Sequence, residues 1–231
     1  NIEVLYGDTD SLFIKNPTKD QILSVIDWAK IEHGVELEVD KEYRYVVLSG
    51  RKKNYLGVTK TGKVDVKGLT GKKSHTPPFI KTLFYELLDV LAEVKNVEEF
   101  DSAKKKISDK IIEYAKKVEA KEIPLSELAF NVMISKAPSE YVKTVPQHIR
   151  AAKLLESIRE LKKGDIISYV KIINKPGVKP VEMARPEEID SKKYMEFMES
   201  TLDQITSSMD LDFDTMLGKP KQTGLDQFFW N

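Results

Sequence analysis

The stretch "VLYGDTDSLFI", residues 4 to 14, constrains this chain more than any other. β-Rich residues on both sides of "DTD" predict two antiparallel strands joined at a tight turn. Asp8 and Asp10 interrupt this otherwise apolar run. Ionised carboxylates are costly to withdraw from water unless positive charge faces them, so the pair calls for a cationic counterpart. In an extended chain residues i and i+2 share a face. On that geometry Asp8 and Asp10 address one ion while Thr9 points away. Mg²⁺ suits such donors, because it takes hard oxygen ligands and binds one or two carboxylates together with phosphates and water. A D-x-D string alone also occurs in turns that use Asp for local hydrogen bonds.

The following segments keep an α+β character. "KDQILSVIDWAKIEHG" spaces Ile22, Leu23, Ile26, Trp28 and Ala29 as a helix, with Gly34 placed to end it. "VELEV", "YRYVVLS" and "NYLGVT" read as strands, and the last is expected to pair with "KVDVKG" across "KTGK". After "SHTPPF" the pattern turns helical. "PPFIKTLFYELLDVLAEV" carries prolines suited to a helix start and an apolar stripe through Phe79, Leu83, Leu87, Leu88 and Leu91. "VEEFDSAKKKISDKIIEYAKKVE" is acidic first and basic last, which matches the helix dipole. "PQHIRAAKLLESIRE" and "DSKKYMEFMESTLDQITSSM" are further helices, with "GDIISYVKII" a strand between them. From Gly218 the chain becomes polar, yet it closes on three aromatics.

Charge is segregated. The 231 residues hold 37 basic and 37 acidic side chains, a net charge of zero. Residues 1–40 nevertheless carry nine acids and three bases, and residues 41–80 carry ten bases and two acids. A block near +8 inside a neutral chain points to a polyanionic partner. The absence of cysteine removes disulfides and thiolate metal sites. No run of 18 apolar residues and no basic-then-apolar leader is present, so a cytoplasmic chain is expected. His33, His75 and His148 lack zinc-type spacing, and no phosphate-loop string occurs.

The string Tyr6-Gly7-Asp8-Thr9-Asp10-Ser11 resembles motif C of family B DNA polymerases at all six positions. The likeness continues in "RKKNYLGV", which is similar to the family's K-K-x-Y element at Lys52, Lys53 and Tyr55. "VELEVDKEY" looks like the acidic strand that brings an auxiliary carboxylate, Glu38 or Asp40. "LAFNVMISKAPSEYVKTVPQHIRAAKLL" resembles the thumb segment of archaeal members. The resemblance implies an α+β fold: an antiparallel partial palm sheet with one helix over residues 1–76, a mostly helical thumb domain over 77–217, and a flexible C-terminal tail over 218–231.

It also implies the chemistry. Asp10 would be the ligand shared by two Mg²⁺ ions, Asp8 a supporting carboxylate and Asp40 a weaker one. Tyr6, Gly7, Thr9 and Ser11 would shape the turn. Lys52, Lys53 and Tyr55 would hold the primer–template DNA, with Lys67, Lys72 and Lys73 lining the duplex. A helix start near Pro146, with Gln147, His148 and Arg150, suits phosphate contact. Neither a D-x-x-S-L-Y-P-S string nor a K-x-x-x-N-S-x-Y-G string is found, so the second metal-ligand aspartate and the dNTP-gripping fingers are missing. The resemblance therefore implies the small subunit of a split polymerase, inactive without its large subunit. A truncated piece of a one-chain enzyme and a non-catalytic, clamp-recruiting DNA-binding module are the alternatives.

In the tail, Gln222, Leu225, Phe228 and Phe229 fit Q-x-x-[ILM]-x-x-[FY]-[FY], which resembles the box that docks on the sliding clamp, PCNA. Leu225 and Phe228 stand three apart, so one helical turn sends both into a groove.

Overall fold

The computed structural model describes residues 1–8, 10–48, 55–68, 75–96, 98–142 and 144–218. The chain divides into two compact units, Asn1–Gly68 and Leu69–Asn231. That division falls ahead of the boundary expected at residue 76.

The first unit opens with a hairpin of β1 (Val4–Asp8) and β2 (Ser11–Ile14). Helix α1 (Lys19–His33) follows, and its ends are fixed by local chemistry. The Gln21 amide donates to the Thr18 hydroxyl at 3.2 Å while the Thr18 amide donates to the Gln21 side chain at 2.9 Å. This reciprocal pair satisfies two otherwise orphaned donors. Gly34 ends the helix at φ +64°, a left-handed conformation that costs glycine nothing. Strands β3 (Tyr43–Leu48), β4 (Tyr55–Thr59) and β5 (Val64–Lys67) form a separate antiparallel sheet in that order. The β4–β5 hairpin across "KTGK" forms as its turn residues predict, with Val58 opposite Val64.

Among the described residues the antiparallel strands form two ladders, β1–β2 and β3–β4–β5. One expectation for this unit is corrected. "VELEV" is not a strand, and Val35 and Val39 stand exposed. Alternating residues become a strand only against a partner ladder, and none pairs with this segment among the described residues. The apolar stripe of α1 is also only partly used. Ala29 is buried, whereas Leu23, Trp28 and Ile31 are 58%, 57% and 78% exposed.

The second unit has the larger core. Helix α2 (Pro78–Glu93) starts at a proline and buries all five stripe residues predicted for it. It packs on α3 (Glu98–Glu119), and the Glu86 carboxylate accepts from Lys110 at 2.6 Å and Tyr114 at 3.0 Å. The short α4 (Leu125–Leu128) leads into a sheet of β6 (Phe130–Met133), β7 (Ile166–Lys171) and β8 (Val178–Pro180), order β6–β7–β8. Sequence periodicity anticipated β7 alone, so this unit is less helical than expected. Helix α5 (Gln147–Leu155) ends earlier than its pattern suggested, and α6 (Ser191–Thr206) and α7 (Phe213–Met216) complete the unit.

Tyr194 of α6 joins four of these elements. It is fully buried, donates to the Leu128 carbonyl at 2.9 Å and accepts from the Lys171 amide at 3.0 Å. Its ring lies 6.1 Å from Phe79 and 6.0 Å from Phe130. Both polar ends of the phenol are thus satisfied, as a buried tyrosine requires. No helix among the described residues is long and apolar enough to cross a membrane.

Candidate functional site: the carboxylate hairpin

Register puts the two aspartates at the tip of the first hairpin. Tyr6 pairs with Phe13, Gly7 with Leu12 and Asp8 with Ser11, so only positions 9 and 10 connect the strands. Asp8 ends β1 half exposed, and Asp10 is exposed in the turn. Thr9 lies outside the described residues. The expectation that Asp8 and Asp10 share a face by strand alternation is therefore corrected: alternation stops where the turn begins. Asp8 and Asp10 stand two residues apart at the end of the hairpin.

Alternation does operate inside the hairpin. Tyr6, Asp8, Ser11 and Phe13 project from one face, since the pairs Tyr6–Phe13 and Asp8–Ser11 are two steps apart. Phe13 is the centre of an aromatic cluster on that face. Its ring meets Tyr6 edge-on at 5.8 Å, stacks with Tyr43 at 5.8 Å and 23°, and meets Tyr55 edge-on at 5.0 Å. Tyr55 thereby touches the hairpin that carries the aspartates, although 45 residues of sequence separate it from Asp10. Tyr43 in turn sits against Gly57, where a Cβ would come within 2.4 Å of the ring. Its hydroxyl donates to Asp65 Oδ2 at 2.7 Å, and Lys41 Nζ approaches the same oxygen at 2.8 Å. Burial, and then the bond to Asp65, push the Tyr43 phenol far above its usual pKa and keep it a donor. Burial likewise pushes Tyr45 up to about 12.

A half-exposed Asp8 at the strand end and an exposed Asp10 in the turn are of the donor type that supplies one or two ligands of a Mg²⁺ shell, with remaining ligands left to phosphates and water. A complete cage is another matter. Among the described residues no trio of His, Cys, Asp or Glu converges on a common point. Asp40 is consequently not gathered with Asp8 and Asp10. It is largely exposed beside Lys41, at 3.9 Å.

The basic block is partly placed. Lys67 ends β5 exposed, directly opposite Tyr55 in the ladder. Lys60 is paired with Glu42 at 2.7 Å. Lys52, Lys53, Lys72 and Lys73 lie outside the described residues, as do Gln222, Leu225, Phe228 and Phe229 of the tail.

In the second unit, Gln147 is exposed at the start of α5. His148 is half-buried, and burial followed by the nearby His75 lowers its pKa, so it is a neutral ring at pH 7. Arg150 acts as a brace, donating to the Val145 carbonyl and the Pro176 carbonyl, each at 3.2 Å. A depression of about 380 Å³ near the end of α6 is lined by Glu199, Asp203, Asp210 and Asp212. It belongs to the second unit and holds none of the predicted site residues.

Sequence reasoning missed Phe13, Tyr43, Gly57 and Asp65. The one available signal was a lone glycine inside a strand, which often marks close approach by another group.

The site defined so far is two aspartates at the end of a hairpin, with Tyr55 of β4 packed against Phe13 of the same hairpin. The family model for DNA polymerase family B matches residues 1–213, and the chain belongs to that family. DNA polymerase 1 of Saccharolobus solfataricus is 42% identical over 99% of this chain and 26% of its own length. DNA polymerase 1 of Aeropyrum pernix is 40% identical over 96% of this chain and 23% of its own length. In shape the chain is similar to the family B DNA polymerase from Pyrobaculum calidifontis, with TM-score 0.63 and 24% identity over 91% of this chain and 26% of that one. The chain thus spans about a quarter of the length of these relatives.

Proposed function

We propose that this chain is the small part of a family B DNA polymerase: the motif C half of the palm, a thumb, and a clamp-binding tail. The observation that carries the reading is the hairpin that ends β1 at half-exposed Asp8 and bears exposed Asp10 in its turn, with Phe13 stacked on Tyr43. On this reading the second metal-ligand aspartate and the nucleotide-gripping fingers, whose sequence strings do not occur in these 231 residues, are supplied by a large partner polypeptide. The reaction is attack of a primer 3′-hydroxyl on the α-phosphate of a dNTP.

Asp10, supported by Asp8, would hold the magnesium ions. When bound, those ions offset charge on the α-phosphate and favour the ionised 3′-hydroxyl. Tyr6, Thr9 and Ser11 shape the turn. A Cβ on Gly7 would meet nothing within 4 Å. Among the described residues, packing therefore does not demand glycine there. Lys52, Lys53 and Lys67, with Lys72 and Lys73, engage backbone phosphates without reading sequence. Gln147 and the α5 amides add contacts from the thumb, and His148 contributes hydrogen bonding without charge.

The test uses the chain assembled with its large subunit in primer extension. Asp10→Ala should lower kcat by at least about 10³-fold. Lys52→Ala with Lys53→Ala should weaken primer–template binding and flatten its log–log salt slope by up to about 1.8, at 0.9 per contact. Parent-like extension by Asp10→Ala, or extension by this chain alone, would overturn the reading.

A further inference from the structure

Among the described residues the aspartate hairpin and the three-stranded sheet are separate ladders, so backbone pairing between described strands does not fix one against the other. A stack of side chains connects them. Phe13, three residues from Asp10 and paired with Tyr6, rests on the Tyr43 ring. Tyr43 begins β3 and crosses β4 at Gly57, and its hydroxyl bonds to Asp65 on β5. Gly57 and Asp65 are direct ladder partners, so one cross-strand pair supplies both the seat for the ring and the anchor for its hydroxyl. Lys41 holds the anchor from the other direction. The ring has little freedom: ordinary van der Waals contact begins near 3.4 Å, and a Cβ at position 57 would intrude to 2.4 Å.

We infer that Tyr43, seated on Gly57 and tied to Asp65, is a positioning residue that sets the height of the Asp8–Asp10 turn through Phe13. This inference rests on the polymerase reading above. Phosphoryl-transfer geometry tolerates little error, and a displacement near 1 Å can cost about 10²-fold in rate. Aromatic contacts of this kind are selective for geometry as well as area. The turn itself is exposed and makes a poor locator, so the stack beneath it provides the fixed reference. Tyr55 shares the work by meeting Phe13 edge-on from β4.

The experiment compares Gly57→Ala, Phe13→Leu and Tyr43→Phe in the assembled enzyme. Gly57→Ala moves the ring, Phe13→Leu removes the stack but keeps an apolar side chain, and Tyr43→Phe keeps the ring and loses only the anchor. Mn²⁺ binding is read by electron paramagnetic resonance of the free ion, counting the sites lost in Asp10→Ala. Gly57→Ala and Phe13→Leu should weaken those sites about tenfold and lower kcat by up to about 10²-fold, with KM for dNTP little changed. Tyr43→Phe should do the same to a smaller degree, and it covers the case in which Gly57→Ala does not fold. A merely structural role would lower thermal stability and leave Mn²⁺ affinity alone. Folded variants whose Mn²⁺ affinity and kcat stay within twofold of the parent, or that raise only KM for primer–template, overturn the inference. If Asp10→Ala itself keeps parent activity, the polymerase reading fails first and takes this inference with it.

Discussion

His148 shows how a side chain's surroundings decide its use. It was expected to help hold phosphate, yet burial, with His75 adding repulsion, lowers its pKa below the ordinary 6.5. Protonation then favours the unfolded chain, so the stability contributed by neutral His148 is complete above pH 6.5 and is lost as pH falls through the lowered value. The unfolding midpoint of the chain should fall between about pH 7 and pH 5, and fall less in His148→Gln. Identical pH slopes for the two proteins would refute this. Glycines give the clearest contrast in legibility. Gly34 could be read directly, because a helix stop depends on the residue's own backbone. Gly57 could be suspected but not explained, because its reason is the Tyr43 ring, which arrives from another strand.

Among the elements, those with strong local signals were legible. The stripe of α2, the dipole-matched ends of α3 and the β4–β5 turn all formed where expected. "VELEV" did not, because its alternation found no neighbouring strand among the described residues. β6 was overlooked for the opposite reason: "FNVM" is short and weakly patterned, yet β7 pairs with it over four residues. The tail box lies outside the described residues. Burying the two phenylalanine rings, roughly 150–250 Å² each at about 25 cal/mol per Å², gives several kcal/mol before the cost of ordering the tail. Phe228→Ala with Phe229→Ala should therefore weaken binding to a purified sliding clamp by more than about tenfold, measured by calorimetry. Unchanged affinity would assign those rings to some other surface.

Across the whole chain, the hydrophobic residues are divided unevenly. Among the described residues the first unit buries only Ala29, Leu56, Val58 and Val66, and the remaining buried hydrophobic residues belong to the second. Val4, Leu5 and Leu12 of the hairpin are exposed together with Leu23, Trp28 and Ile31 of α1. So small a core gives little independent stability. In the lone chain, amides of β1, β2 and α1 should exchange with solvent far faster than those of α2 and α3, and should slow on addition of the large subunit. Equal protection in both units before assembly would contradict this. By itself the sequence determined what depends on neighbours along the chain: the hairpin turn with its two aspartates, the helix caps, the amphipathic stripes and the family signature. Tertiary structure alone decided that Arg150 braces a loop and that Phe13, Tyr43 and Gly57 form one stack. Those outcomes depend on contacts between residues distant in the chain, whose approach no local periodicity encodes.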